Sequence, residues 1–175
     1  MRLPLLCGLV LASACQSAPP APPEAPADER APLVAAVQEL YRAFDFDAGG
    51  EADWAAMRAL FAPGASFASP GAPGRPARLV DAEQFLADFR AWVADSEEGR
   101  TGFHERITRL EVELYGTVAH TFVTFEGFVP PHGPALTLGL DAIQWVQDEG
   151  EWKLASFATQ YASDALPMPA RFLPR

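Results

Sequence analysis

The second half of this chain carries its strongest constraint. From residue 102 to 161 it reads as four long runs with a period of two, separated by turn residues. "GFHERITRLEVELYG" alternates through Leu110, Val112 and Leu114, and "TVAHTFVTFEGFV" follows Gly116. "PPHGP" breaks the chain, after which "ALTLGLDAIQWVQ" and "EWKLASFATQYA" flank "DEGE". Successive strand side chains point to opposite faces, and short Gly-containing joints return the chain antiparallel to itself. The spacing therefore predicts two consecutive antiparallel hairpins. Four such strands need something apolar to pack against.

The upstream half supplies it. Leu33, Val37, Leu40, Tyr41 and Phe44 recur at helical spacing, with Pro32 suited to a first turn, which predicts a helix over about 32–45. Asp53 can cap a second helix carrying Trp54, Met57, Leu60 and Phe61, ended by "APG" at 62–64. "ASFAS" is a short strand and "PGAPGRPA" a loop. Asp81 and Gln84 resemble a capping box opening a third helix, with Phe85, Phe89, Trp92 and Val93 on one face. Helices first and strands last predict an α+β fold: three N-terminal helices packed on a strongly curved, mainly antiparallel sheet.

The first residues follow a different logic. "MRLPLLCGLVLASACQ" has one positive charge, a short apolar run and then small residues, the layout of a secretory signal. The apolar run is too short to span a bilayer. "LASAC" resembles a bacterial lipobox with Cys15 as the lipidated residue, and ordinary cleavage after Ala14 is the rival reading. Residues 16–32 hold six prolines and almost no large apolar side chain, a semi-extended tether. The expected organisation is a signal at 1–14, a tether at 15–31 anchored at Cys15, and one domain at 32–175. The expected location is the periplasm or cell envelope, as an outer-membrane lipoprotein. A net charge of −10 with no basic run opposes nucleic-acid binding and leaves the anchor as the expected link to a membrane. No spacing of histidines or cysteines suggests a metal, and no cofactor is expected. "DFDAGGEAD" lacks the glutamate that a calcium loop needs at its last position.

The order helix, helix, short strand, helix, four long strands resembles the nuclear transport factor two-like superfamily, which includes SnoaL-like cyclases and ketosteroid isomerase. "LYRAF…DWAAMRALFAPGASF", "GTVAHTFVTFEGF" and "GLDAIQWVQDEGEWKLASFATQYA" carry the resemblance, over about 32–174. It implies a cone in which the sheet curls around the helices and leaves an apolar pocket. In ketosteroid isomerase a general-base aspartate precedes a proline on the first short strand. The matching residue here is Ser69, before Pro70, and its hydroxyl cannot serve as that base unaided. Tyr41 falls near where that enzyme carries an oxyanion-hole tyrosine.

His120 and His104 are the candidate acid/base groups, with Asp141, Glu105 and Glu126 as carboxylates. His120 and Glu126 lie about 20 Å apart along one extended strand, so a partner for His120 must come from another strand, Asp141 first. The pocket residues expected from the cone are Tyr41, Phe44, Trp54, Phe61 and Phe89 from the helical half. Phe122, Thr124, Gln144, Trp152 and Gln160 are those expected from the strands. This assignment turns the face of Val118, His120, Phe122, Thr124, Glu126 and Phe128 inward. It leaves Ala119, Thr121, Val123, Phe125 and Val129 for a homodimer through the sheet. On the last strand Trp152, Leu154, Ser156, Ala158 and Gln160 are expected to share a face.

Three functions follow as expectations. The favoured one is a small-molecule-binding module for an apolar ligand. The others are a SnoaL-like acid/base enzyme using His120 or His104, and a dimeric interaction domain with a closed pocket. A cone filled by Phe44, Phe61, Phe85, Phe89 and Trp152 would leave no room for a ligand.

Overall fold

Pro32 does not open the first helix. In the computed structural model, which describes residues 27–71, 74–130 and 132–174, helix α1 runs Ala27–Phe44 with Pro32 inside it. Residues 27–31, expected in the tether, are therefore helical. The expected signal, Cys15 and the rest of the tether lie outside the described residues. Pro32 is tolerated because it stands on the exposed side, one residue before the buried stripe of Leu33, Val37, Leu40, Tyr41 and Phe44 begins. Each fully buried Leu of that stripe contributes about 1.5–3 kcal/mol.

After a two-residue strand, β1 (Phe46–Asp47), helix α2 spans Trp54–Leu60. Asp53 caps it, its side chain accepting from the Ala56 amide at 2.9 Å. "APG", expected to end this helix ahead of a short strand at 65–69, is itself part of that strand, β2 (Phe61–Ser69), together with Phe61. Phe61 pairs with Leu154, and the register then shifts before Ser66, so Pro63 and Gly64 (φ +80°) are accommodated in an irregular stretch. Strand β3 (Arg78–Asp81) pairs back on β2 and leads into α3 (Ala82–Asp95). Asp81 accepts from the Gln84 amide at 2.8 Å, as the capping pattern predicts. A short α4 (Glu97–Thr101) follows.

The four long strands are β4 (Gly102–Tyr115), β5 (Val118–Phe128), β6 (Ala135–Asp148) and β7 (Glu151–Tyr161). They form an antiparallel meander inside a seven-stranded sheet of order β1-β4-β5-β6-β7-β2-β3, with β2 parallel to β7. The helices pack against the inner face around one apolar core. The fold is therefore the α+β cone that the sequence predicts, with the sheet mainly antiparallel.

The faces of the strands differ from expectation in two ways. On β5 the inward residues are the odd ones. Ala119, Thr121, Val123 and Phe125 are buried in the core, while His120, Phe122 and Glu126 point outward. The odd face is the more apolar of the two, and a sheet with one solvated face buries its more apolar side. The surface offered for a dimer is thus the wall of the core. The outer face carries instead the C-terminal segment: the ring of Phe172 packs on Phe122 at 5.0 Å, and the Thr124 hydroxyl donates to the Phe172 carbonyl at 2.7 Å.

Two β-bulges make the second difference. Ile107 pairs with Phe125 but Arg109 with Thr124, so Thr108 is an extra residue. Trp145 pairs with Leu154 but Gln144 with Ser156, so Ala155 is another. One extra residue exchanges the faces of everything beyond it. Trp152 and Leu154 point inward as expected, but past Ala155 the core-side residues are Phe157, Thr159 and Tyr161, not Ser156, Ala158 and Gln160.

Candidate functional site

Asp141 is a carboxyl buried inside the cone. It stands on β6 between Val123 of β5 and Thr159 of β7, on the same face as Ile143 and Trp145, and is 2% exposed. A carboxyl so placed needs partners for both oxygens. The Tyr41 hydroxyl, from the last turns of α1, donates to Oδ2, and the Thr159 hydroxyl donates to Oδ1 at 2.6 Å. Burial raises the Asp141 pKa from 3.8 to about 7, against the lowering effect of those two hydrogen bonds.

A second carboxyl adjoins it. Glu105 faces inward because the Thr108 bulge puts it on the side of Leu110 and Val112. Its register partner is Gly127, where a Cβ would lie 2.5 Å from the Thr137 hydroxyl oxygen. The Glu105 backbone is fixed by its N–H donating to Asp45 Oδ1 at 2.8 Å. Burial holds the Glu105 carboxyl well above the usual range, and the charges of Asp141 and Asp45 push it further. Burial likewise raises both tyrosines, Tyr41 and Tyr161, with the two carboxylates adding to it. Burial is the first cause of the shift in both acids, and it favours their neutral forms.

Above this cluster the cone is closed at its base and open at its mouth. Phe44, Phe61 and Trp152 are core residues. Phe61 packs on Phe67 at 4.9 Å, and Phe67 stacks on Phe85 at 4.1 Å with nearly parallel planes. Phe44 meets Phe85 and Phe89 edge-on. The expected plug therefore exists, but it stops short of the mouth. A cleft of about 580 Å³ lies there between Phe67, Phe85, Phe89 and Phe157, with Thr159 and Tyr161 on its floor and wall. A second cleft, of about 340 Å³, shares Phe89 and Tyr161 and extends over Trp92, Phe103 and Gly127. Thr159 is the direct link between cleft and acid: it lines the first and hydrogen-bonds Asp141.

The residues singled out from sequence divide accordingly. Asp141 and Tyr41 meet inside the cone. Phe89 walls both clefts and Gln160 lines the first, its amide donating to the Tyr161 carbonyl at 3.1 Å. Trp54 packs on Phe89 but lines a separate shallow groove under Arg90. Phe122, Thr124 and Gln144 do not line the cone. They are on the outer face, because the inward parity of β5 and β6 is odd. His120 goes with them: its Nδ1 meets the Gln144 amide, its ring lies 4.5 Å from Phe122, and its buried Nε2 has no partner among the described residues. Asp141 is on the opposite face, so the expected His120–Asp141 pair does not form.

His104 is also outside the cone, at the rim. It lies 3.8 Å from Asp45 and 3.6 Å from Asp47, and its ring faces His132 at 6.0 Å. Glu126 pairs with Arg106 on the outer face. Sequence reasoning missed Thr159 and Tyr161. The available signal was their register opposite Asp141 and Gly139, concealed by the Ala155 bulge.

No protein-family model matches the chain, and no curated protein sequence matches it. Solved structures do. A protein of unknown function with a cystatin-like fold from Nostoc punctiforme superposes with a TM-score of 0.63 at 12% identity, over 82% of this chain and 98% of that one. An NTF2-like protein of unknown function from Silicibacter pomeroyi gives 0.54 at 21% identity, over 77% and 96%. A Streptomyces avermitilis protein provisionally described as a dehydratase of the NTF2-like family gives 0.58 at 16% identity, over 78% and 97%. The fold is that of the nuclear transport factor two-like, or cystatin-like, proteins.

Proposed function

We propose that the chain is an exported, lipid-anchored binding domain that holds a small, largely apolar molecule at the mouth of its cone. The observation that carries the binding reading is the pair of ring-walled clefts meeting at Phe89 and Tyr161, whose volumes lie within or near the usual range of ligand pockets. The neutral dye N-phenyl-1-naphthylamine tests it. Its fluorescence should rise on binding to the wild-type protein and not to Val80→Trp, since Val80 lines the larger cleft. Equal enhancement by both proteins, or none by either, contradicts the reading.

Export and anchoring rest on "MRLPLLCGLVLASACQ" alone. Mass spectrometry of the mature N-terminus checks them: a diacylglycerol-bearing Cys15 is expected, and an unmodified Cys15 sinks the anchor.

Acid/base catalysis is the second reading, and Asp141 favours it. A carboxyl with a pKa of about 7, held by two hydroxyls, can take or release a proton near neutral pH, and perturbed groups of this kind concentrate at functional sites. In this reading Asp141 replaces the histidines as the working group, and the Thr159 hydroxyl relays between it and a molecule in the cleft. Asp141→Asn should then keep dye binding but abolish conversion of the molecule recovered from the native protein. Unchanged conversion by the variant rejects a chemical role for Asp141.

A further inference from the structure

The larger cleft has both apolar and cationic lining residues. Phe67, Phe85, Phe89 and Phe157 line it together with Arg75, Arg78 and Ser69. The two arginines stand out against a chain of net charge −10. Many basic side chains are matched by acids: Arg42 by Glu39, Arg58 by Glu83, Arg106 by Glu126, Arg109 by Glu111, Lys153 by Glu151 and, at this cleft, Arg78 by Asp88. Arg75 makes no ion pair among the described residues.

Arg78 is held in place. It opens β3 in register with Ser69, and its Nη1 donates to Asp88 Oδ2 at 2.6 Å. The other oxygen of Asp88 accepts from the Gln84 amide at 2.8 Å. Asp88 is thereby tied to its own helix and orients the guanidinium, whose remaining donors have no hydrogen-bond partner among the described residues. Of the charged groups lining the cleft, two are positive and one is negative. Asp141, joined to the cleft through Thr159, holds its proton further up the pH scale than an ordinary carboxyl, which reduces the repulsion an anion would meet there.

Resting on the binding reading above, we propose that the ligand is a hydrophobic anion: a compact ring body seated against the phenylalanine wall, with a carboxylate or similar single anionic group at Arg75 and Arg78. Guanidinium groups suit such a group because their planar donor array matches its oxygens.

Two dyes with the same aromatic body separate this proposal from the reading beneath it. N-phenyl-1-naphthylamine is neutral, and 8-anilinonaphthalene-1-sulfonate carries one negative charge. Both are titrated by fluorescence against wild type, the double variant Arg75→Gln/Arg78→Gln, and Arg90→Gln as a control arginine outside the cleft. The sulfonate should bind wild type more tightly than the neutral dye and weaken about tenfold in the double variant, the loss expected from one charge-assisted contact. The neutral dye should bind all three proteins alike, which also shows that the double variant is folded. Neutral-dye binding with a sulfonate affinity indifferent to Arg75 and Arg78 overturns the proposal and leaves the binding reading standing. No binding of the neutral dye to wild type overturns both.

Discussion

Asp141 links the stability of this protein to its proposed chemistry. Its pKa in the folded protein, about 7, lies above the ordinary 3.8 of an unfolded chain. The folded state therefore binds the proton more tightly. The stabilisation from that proton is complete below about pH 4 and is lost as pH rises to about 7, with a ceiling of about 4 kcal/mol for a shift of about three units. Asp141→Asn removes this contribution, so urea unfolding across pH 4 to 7.5 should show wild type losing stability relative to the variant as pH rises. Parallel curves would mean that the carboxyl is solvated. Glu105 contributes with the same sign and remains in the variant. A second residue-scale test is Thr121→Val. Thr121 accepts from the Trp145 indole N–H at 3.0 Å, and both side chains are buried. The variant leaves that N–H unpaired and should cost about 1–3 kcal/mol in urea unfolding with an unchanged m-value.

Within the elements, one glycine and two bulges organise the site. Gly139 stands between Phe125 and Tyr161 in register, and a Cβ there would lie 2.3 Å from the Phe125 ring. Phe125 is itself buried and packs on Tyr41 at 5.9 Å. Gly139→Ala must displace that ring, at a cost of about 1–3 kcal/mol, and should move the Tyr41 and Tyr161 ring resonances in NMR. The same elements explain what a reader of the sequence can see. Helix positions, caps and the meander follow from local patterns: Asp53 and Asp81 cap as their spacing implies, and Gly116 turns the first hairpin. The site does not follow from them. A period of two cannot say which face is inside, and His120 with Glu126 drew attention to the outer one. Comparing Ala119, Val123 and Phe125 with His120, Thr124 and Glu126 by polarity alone gives the observed answer. The bulges at Thr108 and Ala155 leave no residue-type signature, yet they bring Glu105, Thr159 and Tyr161 inside. The Tyr41–Asp141 bond spans 100 residues and depends on both the helix position and the strand register.

At the scale of the molecule, helices cover the inner face of the sheet, and the C-terminal segment covers part of the outer face around Phe122. Phe172 is buried against Phe122, and the carbonyls of Phe172 and Leu173 accept from Thr124 and Arg109. Phe172→Ala should release this strap before the domain unfolds. Hydrogen exchange should quicken on the outer strand residues around Phe122 while the amides of α1 keep their protection. Protection unchanged on β5 would show that the strap contributes little. The central claim concerns the open mouth of the cone, and its most direct test is native mass spectrometry of the protein purified from its own cells, beside Val80→Trp prepared in the same way. The account predicts a non-covalent adduct of one small anionic molecule on the wild-type protein, lost on denaturation and missing from the variant. A wild-type protein that carries nothing beyond its covalent modifications, or an adduct equally present on Val80→Trp, would contradict it.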